Sequence, residues 1–564
     1  DWSSDVCSSD LFGNNNNTIN NNTITAAGSN LPVNAIYSNE GVSPGNNTNT
    51  ISNNNISDFF SATTSSTGIY LNAANDGWTI SGNKIFQSAT RTTTTASLTH
   101  RGIYIVSGSG YTVSGNIIGY ANSSGTGTTT YTSATTATYV GIDLSLASIT
   151  SSSITGNTIA GISFTTTANT TGSKGIFSGI AMTTGLASVT NNIIGVISTG
   201  PISVVSNISG SSGIVVQGIY FNVATNSITV SGNTITALSA SSSNANTGFA
   251  VYPIVVSGTG VFTVSSNTIG DVSTANSISA GTSPTTTAIC SIRGIFAIAT
   301  GGMTITGNTI QNCSAFGTGA SFFIGINTTT LASGTLDINN NNILNNTTAG
   351  TGGLQGILNT ASVATLNITG NVLRNFTLSN TGCLLLVIAN SGVVTTAINI
   401  NSNQLGNTGG GLITSSVAST GSITCISNSF GGSTAALSIQ FNDIRGIQHT
   451  IAATSPHNYI QNTATTLSQN ISNNTFTNLN VNTSGDIYFI RNAVSLTASG
   501  TKTINSNSIS GTFAKTGSSG NVYFYLDNES SAAGATINNN NNNFSNVTLS
   551  GSNILNGWSN SDGA

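Results

Sequence analysis

The residues best suited to acid–base chemistry are concentrated between positions 443 and 529 of a chain that otherwise has few charges. They are Asp443, Arg445, Asp486, Arg491 and Asp527. Hydrolysis of a glycosidic bond uses two carboxyl groups on either side of that bond. Lytic elimination uses a base together with a cation that stabilises the developing negative charge. These residue types fit the chemistry of polysaccharide cleavage, and they are the candidate catalytic residues.

The spacing of short strand-like segments predicts how these charges come together. If segment 445–448 (RGIQ) stacks under 485–488 (GDIY) and then 520–523 (GNVY), four charged side chains share one face of a sheet. These are Arg445, Asp486, Arg491 and Asp527. The alternative is a set of solvated charges that pair across neighbouring strands. A smaller charged group in one predicted loop carries less weight: Lys84, Arg91, His100 and Arg101.

A candidate binding surface follows a repeated Gly-Ile dipeptide, because the residue two places after the Gly is usually aromatic. These residues are Tyr70, Tyr104, Phe177, Tyr220 and Phe296, with Asp143 at the same place in one repeat and Tyr488 and Tyr523 in later ones. Strand alternation turns this position outward while its neighbours point inward. A column of outward rings can stack against sugar rings. The alternative is that the rings pair with one another, as aromatic residues in strands do.

Both candidate sites depend on a repeat whose clearest part is ITGNTI, found at 154–159 and again at 305–310. Its pattern is an apolar residue, two further residues, Asn, one residue and a second apolar residue. The mean spacing of the Asn is about 35 residues, which is typical of solenoid repeats. The Asn positions are Asn22, Asn54, Asn83, Asn116, Asn157, Asn192, Asn233, Asn267, Asn308, Asn341, Asn371, Asn403, Asn428, Asn474 and Asn507.

The residues around each Asn predict a strand that ends in a tight corner. Apolar residues alternate before the Asn, which indicates a strand with one buried face. The residue just before it is often Gly or Asn, and these tolerate left-handed backbone geometry. Stacked at a strand spacing of about 4.8 Å, the Asn amides can bond to the copies above and below. We therefore expect an Asn ladder, with an ordinary surface turn as the alternative.

The two halves of the repeat differ in how constant their lengths are. From the Gly of Gly-Ile to the next Asn the distance is 14 to 16 residues, whereas from Asn to the next Gly it runs from 14 to 27. A strand–corner–strand unit of fixed length, with insertions on one side only, is what one coil of a parallel β-solenoid requires. We predict an all-β solenoid of about sixteen coils with the Asn ladder at one corner.

This pattern resembles the right-handed parallel β-helix repeats of the pectate-lyase-like superfamily, of the kind found in large bacterial surface and adhesin-like proteins. The resemblance covers nearly all of residues 12–564 and implies a single-stranded, right-handed β-helix as one repeat domain. It says little about activity, because that fold hosts lyases, hydrolases, phage tailspikes and adhesins. The motifs Asn-Thr-Asp, Gly-His-Gly and Arg-Ile-Lys, which pectin-degrading relatives carry, do not occur in this chain.

The first eleven residues, DWSSDVCSSDL, do not follow the repeat. They resemble the in-frame translation of a sequencing adapter, and we exclude residues 1–11 from the fold. Residues 12–564 are then expected to be a fragment of the repeat domain that is incomplete at both ends.

Composition limits the function classes. Charged residues make up 4% of the chain, against about 25% in an average protein. The 10 Lys and Arg are scattered, which argues against nucleic-acid binding, and no apolar run is long enough for a membrane helix. No spacing of ligand residues suggests a metal site, so we expect neither metal nor cofactor.

Two functions remain. The first is a secreted or cell-surface structural and adhesive β-helix that presents its loops and aromatic column to glycans or other cell-surface ligands. Its support is the number of similar coils, the scarcity of charge and the bland Ser, Thr, Gly and Ala loops. The alternative is a polysaccharide lyase or glycoside hydrolase with a site in 443–529. A true active site would bring several ionisable groups from adjacent coils together, and that convergence separates the two.

Overall fold

The computed structural model describes residues 14–39, 45–169, 173–208, 213–224, 227–281, 287–330, 334–415, 417–527 and 531–560. The predicted adapter segment 1–11 lies outside these ranges. The chain divides into two compact units, Asp1–Thr282 and Ser283–Ala564. Every element in the described ranges is a β-strand. The strands form a parallel β-solenoid of about 15 turns, which confirms the predicted fold class.

Each turn of the first unit runs through three parallel sheets in order. The first sheet contains Thr18–Asn20, Thr50–Ser52, Thr79–Ser81, Thr112–Ser114, Ser152–Thr155, Ala187–Thr190, Ser227–Ser231 and Val261–Ser265. The second contains Thr23–Ile24, Asn55–Ser57, Lys84–Phe86, Arg91–Thr93, Ile117–Gly119, Thr129–Ser133, Thr158–Ala160, Ile162–Thr166, Ile193–Ile194, Ile202–Ser206, Thr234–Ile235, Leu238–Ser241, Thr268–Ile269 and Ile278–Ala280. The third contains Asn34–Ser38, Thr67–Leu71, Leu98–Ile105, Ala137–Ser145, Phe177–Thr184, Ile214–Val223 and Phe249–Gly258. A separate pair is formed by Asn46–Asn47 and Asn75–Asp76.

The second unit has the same three kinds of sheet. Its first sheet contains Met303–Thr306, Thr335–Asn339, Val363–Thr369, Val394–Asn401, Ala436–Gln440, Ser468–Ser472, Thr501–Asn505 and Thr536–Asn540. Its second contains Thr309–Gln311, Cys313–Ala315, Asn342–Leu344, Thr347–Thr348, Val372–Arg374, Phe376–Leu378, Gln404–Leu405, Ile413–Ser415, Asp443–Arg445, Ile447–Ala453, Thr475–Thr483, Ser508–Lys515 and Val547–Leu549. Its third contains Ser291–Ala299, Phe322–Thr328, Gly353–Asn359, Leu385–Asn390, Ile423–Asn428, His457–Asn462, Ile487–Asn492, Ser519–Asp527 and Ser552–Asn560.

The core is a stack of aliphatic layers, and each layer receives side chains from all three sheets. In one turn Ile80 comes from the first sheet, Ile85 from the second, and Ile103 and Ile105 from the third, and all four are at most 2% exposed. Side chains of the same kind lie above one another along each sheet, because the parallel register pairs equivalent positions of successive turns. Burial of this repeated apolar face is the main source of stability, at about 25 cal/mol per Å² of apolar surface.

The Gly of the Gly-Ile dipeptide marks a close approach between successive turns. A Cβ atom on Gly102 would lie 2.7 Å from the carbonyl oxygen of Gly141 and 2.7 Å from Ile118 Cγ2. In later turns of the second unit this position holds larger buried residues, among them Tyr459 and Phe489. The dipeptide therefore disappears from the sequence there, although the strand continues.

The predicted left-handed corner is confirmed at the residue before each ladder Asn. Gly156 has a φ of 64° and Asn340 a φ of 57°. Phe441 takes the same conformation with a φ of 58° although its side chain is bulky, and it is 60% exposed. Only the residue before the Asn takes this geometry, since no ladder Asn has a positive φ.

The predicted Asn ladder is present in both units. The Nδ2 group of each Asn donates to Oδ1 of the Asn in the following turn at 2.9–3.0 Å, and to a carbonyl oxygen of the preceding turn. In the first unit the members are Asn54, Asn83, Asn116, Asn157, Asn192, Asn233 and Asn267, and Asn22 joins the same ladder through a contact of 3.1 Å with Asn54. In the second they are Asn308, Asn341, Asn371, Asn403, Asn442, Asn474, Asn507 and Asn542.

One predicted ladder position is wrong. Asn442, not Asn428, follows Asn403, with Nδ2 of Asn403 donating to Oδ1 of Asn442 at 3.0 Å. Both residues have an apolar residue three places before them, and therefore the local pattern alone does not separate them. Asn428 belongs instead to a second ladder.

This second ladder, here called the inner ladder, runs through the second unit at the ends of the third-sheet strands. Its members are Asn359, Asn390, Asn428, Asn462 and Asn492, which are joined by Nδ2–Oδ1 bonds of 2.8 Å. All five are 0% exposed. Each amide satisfies the next one, which removes the cost of about 1–3 kcal/mol for a buried unpaired polar group.

Candidate functional site

Three tyrosines on the third sheet of the first unit form a column of rings, in which Tyr70 and Tyr104 are stacked and Tyr37 is tilted by 52° against Tyr70. Tyr37 pairs in register with Tyr70, and Tyr70 with Tyr104. Their ring centroids are 5.2 Å and 4.9 Å apart, and Tyr37 is 52% exposed. Tyr70 Oη donates to Oδ1 of Asn72 at 3.2 Å, and burial raises the pKa of Tyr70. Because the rings cover one another, they offer mainly edges and hydroxyl groups to a ligand.

The next position in this register is a buried carboxylate held by two cations. Asp143 pairs with Tyr104 and is 0% exposed. Its Oδ2 accepts from Nε of Arg101 at 2.8 Å, and its Oδ1 accepts from Nζ of Lys174 at 2.5 Å. The Arg101 guanidinium lies 4.2 Å from the centroid of the Tyr104 ring. A buried carboxylate is stable only with such partners, and it fixes both cations beside the tyrosine column.

These residues line a groove of about 530 Å³ in the first unit. Besides Arg101, Asp143 and Lys174, its walls include hydroxyl side chains such as Thr99 and Thr138. Two cations and one anion leave one net positive charge in a chain with few charges. The groove therefore offers charge-assisted donors and hydroxyl groups, which together suit an anionic, hydroxyl-rich ligand.

A buried histidine lies next to Arg101 on the inner side of the same strand. His100 Nδ1 is 2.7 Å from Ser66 Oγ, and Nε2 is 2.9 Å from Thr93 Oγ1. Its ring stacks on Tyr131 with centroids 5.1 Å apart. Burial lowers the pKa of His100 to about 4, so the ring is neutral near pH 7. His100 is 0% exposed and supports the wall of the groove without facing a ligand.

Two predicted members of the aromatic column are buried. Tyr220 lies at the expected register but is only 5% exposed. The outward placement of Phe177 is wrong, since Phe177 is 0% exposed and stacks on Tyr139 at 5.7 Å. Ala181 occupies the outward position in that turn. The segment contains two Gly-Ile dipeptides, at 175–176 and 179–180, and the second one is in register with the neighbouring turns.

The remaining predicted aromatic residues lie in the second unit. Phe296 is half-buried, with the Arg293 guanidinium 4.6 Å from its ring centroid. Tyr488 and Tyr523 stack at 4.9 Å with an interplanar angle of 7°, and Arg491 lies 5.3 Å from the Tyr488 ring. A ring pair beside an arginine thus occurs again in this unit.

The expectation that the charges of 443–529 share one sheet face is wrong. Arg445 lies on the second sheet, where it pairs with Thr477 and binds Asp443 through an Nε–Oδ2 contact of 2.8 Å. Asp486 precedes a strand of the third sheet, and Arg491 lies within that strand. The predicted segments do not stack because they belong to different sheets. Gly446-Ile447 follows the Asn442 corner and lies at the second sheet, whereas Gly485 precedes a strand of the third sheet.

The other two candidate catalytic acids, Asp486 and Asp527, have internal partners. Asp486 accepts from Tyr488 Oη at 3.2 Å and from the Asn521 backbone N–H at 2.7 Å. Asp527 is 1% exposed and binds Nζ of Lys502 at 2.7 Å. A catalytic role stays a prediction for the five candidate residues, Asp443, Arg445, Asp486, Arg491 and Asp527. The structure does not bring their side chains together on one sheet face, as that prediction assumed.

Sequence reasoning missed Lys174 and Tyr37 as members of the groove and the column. Lys174 follows Asp143 by 31 residues, and no repeat position signals it. Tyr37 lacks the preceding Gly, since Ala35 and Ile36 stand where other turns have Gly-Ile. A search for aromatic residues directly after any pair of a small residue and Ile would have found it.

No family model, curated protein or solved structure matches the chain. Among the residues with described positions, no helix is long and apolar enough to cross a membrane. The same residues contain no cluster of three or more His, Cys, Asp or Glu side chains suited to a metal ion.

Proposed function

We propose that this protein is a structural and adhesive β-solenoid of the cell surface or extracellular space, and that it binds an anionic glycan. The observation that carries the proposal is the buried Asp143, which holds Arg101 and Lys174 at the groove beside Tyr104. Charged residues make up only 4% of this chain, so two fixed cations on one surface indicate a specific role. Recognition of acidic groups along a sugar chain is a role that fits them.

The edges of the tyrosine column continue this surface beyond the groove. Tyr37, Tyr70 and Asn72 present hydroxyl and amide groups, with Asn72 Nδ2 donating to Tyr37 Oη at 3.3 Å. Sugar hydroxyls bond readily to such groups, and the successive turns repeat at about 4.8 Å. An extended polymer is therefore a better fit to this surface than a compact small molecule.

Binding of the purified chain to immobilised polygalacturonate, dextran sulfate and neutral dextran tests the proposal. We expect binding to the anionic polymers that weakens as salt rises, because salt screens exposed charges. Lys174→Gln removes a charge-assisted contact of about 1.5–3 kcal/mol and should weaken binding at least about tenfold. Arg445→Ala removes a charge of the same sign in the second unit and serves as the matched control.

Two outcomes would overturn the proposal. One is the absence of binding to every polymer at low salt. The other is equal loss of binding in Lys174→Gln and Arg445→Ala, which would indicate attraction by net charge without a defined site. Release of reducing ends or unsaturated products during the same incubations would instead favour the lyase or hydrolase alternative.

A further inference from the structure

The inner ladder ends at a turn where two amides are replaced by an acid and an amine. Asn492 donates from Nδ2 to Oε1 of Gln469 at 2.7 Å, so the last rung is an amide–amide contact between the third and first sheets. One turn later Lys502 pairs in register with Gln469. Arg491 pairs with Leu526, which places Asp527 in the turn after Asn492. The amide pair is thus followed by a Lys–Asp pair at the same place.

This Lys–Asp pair is enclosed. Lys502 is 0% exposed and Asp527 1% exposed, and Nζ lies 2.7 Å from Oδ2. Nζ also donates to the Val494 carbonyl oxygen at 3.0 Å, and Tyr525 Oη donates to the same Oδ2 at 2.9 Å. Within the described part of the chain, no donor reaches the other oxygen, Oδ1. The amine is therefore fixed against one carboxyl oxygen, with a hydroxyl group beside it and no water-exposed surface.

We propose that Lys502 and Asp527 join in an intramolecular isopeptide bond. Transfer of one proton from the Lys502 ammonium to the carboxylate gives a neutral amine and a carboxylic acid. The Nζ lone pair then attacks Cγ, a new N–C bond forms, and the Cγ–O bond to Oδ2 breaks. Tyr525 Oη, bonded to Oδ2, donates a proton to the leaving oxygen and regains one from Nζ. The products are one amide and one water molecule, and no oxidant or co-reactant takes part.

Position and burial both favour this reaction. Fixed contact between two reacting groups replaces a bimolecular encounter, which in well-oriented systems corresponds to effective concentrations of about 10⁵–10⁸ M. A buried ion pair carries a large desolvation cost, and condensation removes both charges, with Oδ1 kept as the carbonyl oxygen of the new amide. The product is an amide, the same group that forms every preceding rung of the inner ladder. The closed interior also keeps out the water needed for hydrolysis.

The mass of the intact, folded chain tests the proposal. We expect the purified protein to be lighter than its sequence by one water molecule. Trypsin should fail to cut after Lys502, because the amine is acylated. The digest should contain a branched peptide in which 492–515, uncut at Lys502, is joined to 516–564. Lys502→Arg keeps the positive charge but cannot form the bond, and it should have the full mass and three unbranched peptides, 492–502, 503–515 and 516–564.

A second variant gives an independent signature. Asp527→Asn offers a carboxamide to the same amine, so a reactive site should release ammonia in place of water. A folded wild-type chain of full mass, cut normally after Lys502, would overturn the proposal. So would a one-water loss located in an unbranched peptide, since that result indicates cyclisation of an Asp residue elsewhere.

Discussion

Replacement of Asn157 by Ala is the sharpest test of the corner ladder. Asn157 is 0% exposed, and its Oδ1 accepts from the backbone N–H of Asn116 at 3.1 Å and from Asn116 Nδ2 at 2.9 Å. Its Nδ2 donates to Oδ1 of Asn192 at 2.9 Å and to the carbonyl oxygen of Val113 at 2.8 Å. One side chain therefore satisfies groups in the turns on both sides.

Alanine at this position leaves two donors of Asn116 without an acceptor and removes a donor from Val113. The Oδ1 of Asn192 keeps one partner, because the backbone N–H of residue 157 also bonds to it at 3.0 Å. A buried group without a partner costs about 1–3 kcal/mol. Two or three such groups, with partial relaxation, predict a loss of about 3–5 kcal/mol in the free energy of unfolding.

Urea-induced unfolding followed by circular dichroism measures this loss. Asn22→Ala is the matched control, since exposed Asn22 makes the equivalent bonds to Asn54 at 2.9 Å and 3.1 Å in contact with water. We expect a loss below about 1 kcal/mol for that variant. Hydrogen exchange should also quicken at backbone amides near residue 157. Equal losses for the two Ala variants, or a loss below about 1 kcal/mol for Asn157→Ala, would refute the reasoning.

The remaining predictions concern acid stability and close packing. The pKa of His100 is lowered by burial from 6.5 to about 4. Between pH 6.5 and about pH 4 the unfolded chain therefore binds more protons than the folded chain. The free energy of unfolding falls as pH falls through this range, by about 3 kcal/mol in total. Below about pH 4 both states are protonated and the loss stops. His100→Gln should flatten this part of the stability curve measured by urea unfolding, and an unchanged slope would contradict the assignment. Gly102→Ala should destabilise by about 1–3 kcal/mol, because its Cβ would meet backbone and side-chain atoms at 2.7 Å. Gly302→Ala, where no atom lies within 4 Å of the added Cβ, is its control in thermal unfolding.

The repeat and its corner could be predicted because their signals are local. The apolar-x-x-Asn pattern, the left-handed residue before the Asn and the fixed Gly-to-Asn distance each lie within one turn. Where two segments satisfied the same local pattern, prediction failed. Asn428 and Asn442 both fit the ladder motif, and only the register of neighbouring turns separates them.

The groove could not be predicted for a different reason. Arg101, Asp143 and Lys174 come from three successive turns and are separated by 42 and 31 residues. The insertions between them vary in length, so sequence spacing does not place their side chains together. In the sequence, Asp143 differs from its equivalents only in replacing an aromatic residue. The structure explains the replacement, because Asp143 binds both Arg101 and Lys174. The inner ladder escaped detection for another reason: its Asn residues lie three places after the Gly position of the third-sheet strands, but in four of the five turns Val387, Cys425, Tyr459 or Phe489 stands there in place of Gly.

The corner ladder also determines how such a chain can change in length. Every rung makes the same bonds to the turn before it and the turn after it, so a whole turn can be duplicated or lost while both neighbours keep their partners. A chain built in this way can grow by copying segments of about 35 residues, the mean spacing of its repeats. The Arg101–Asp143–Lys174 group breaks that interchangeability, since it requires three particular turns in one order. An inserted turn between Tyr104 and Asp143 would leave the fold intact and separate Arg101 from its carboxylate, so a change of length at this place would break up the groove.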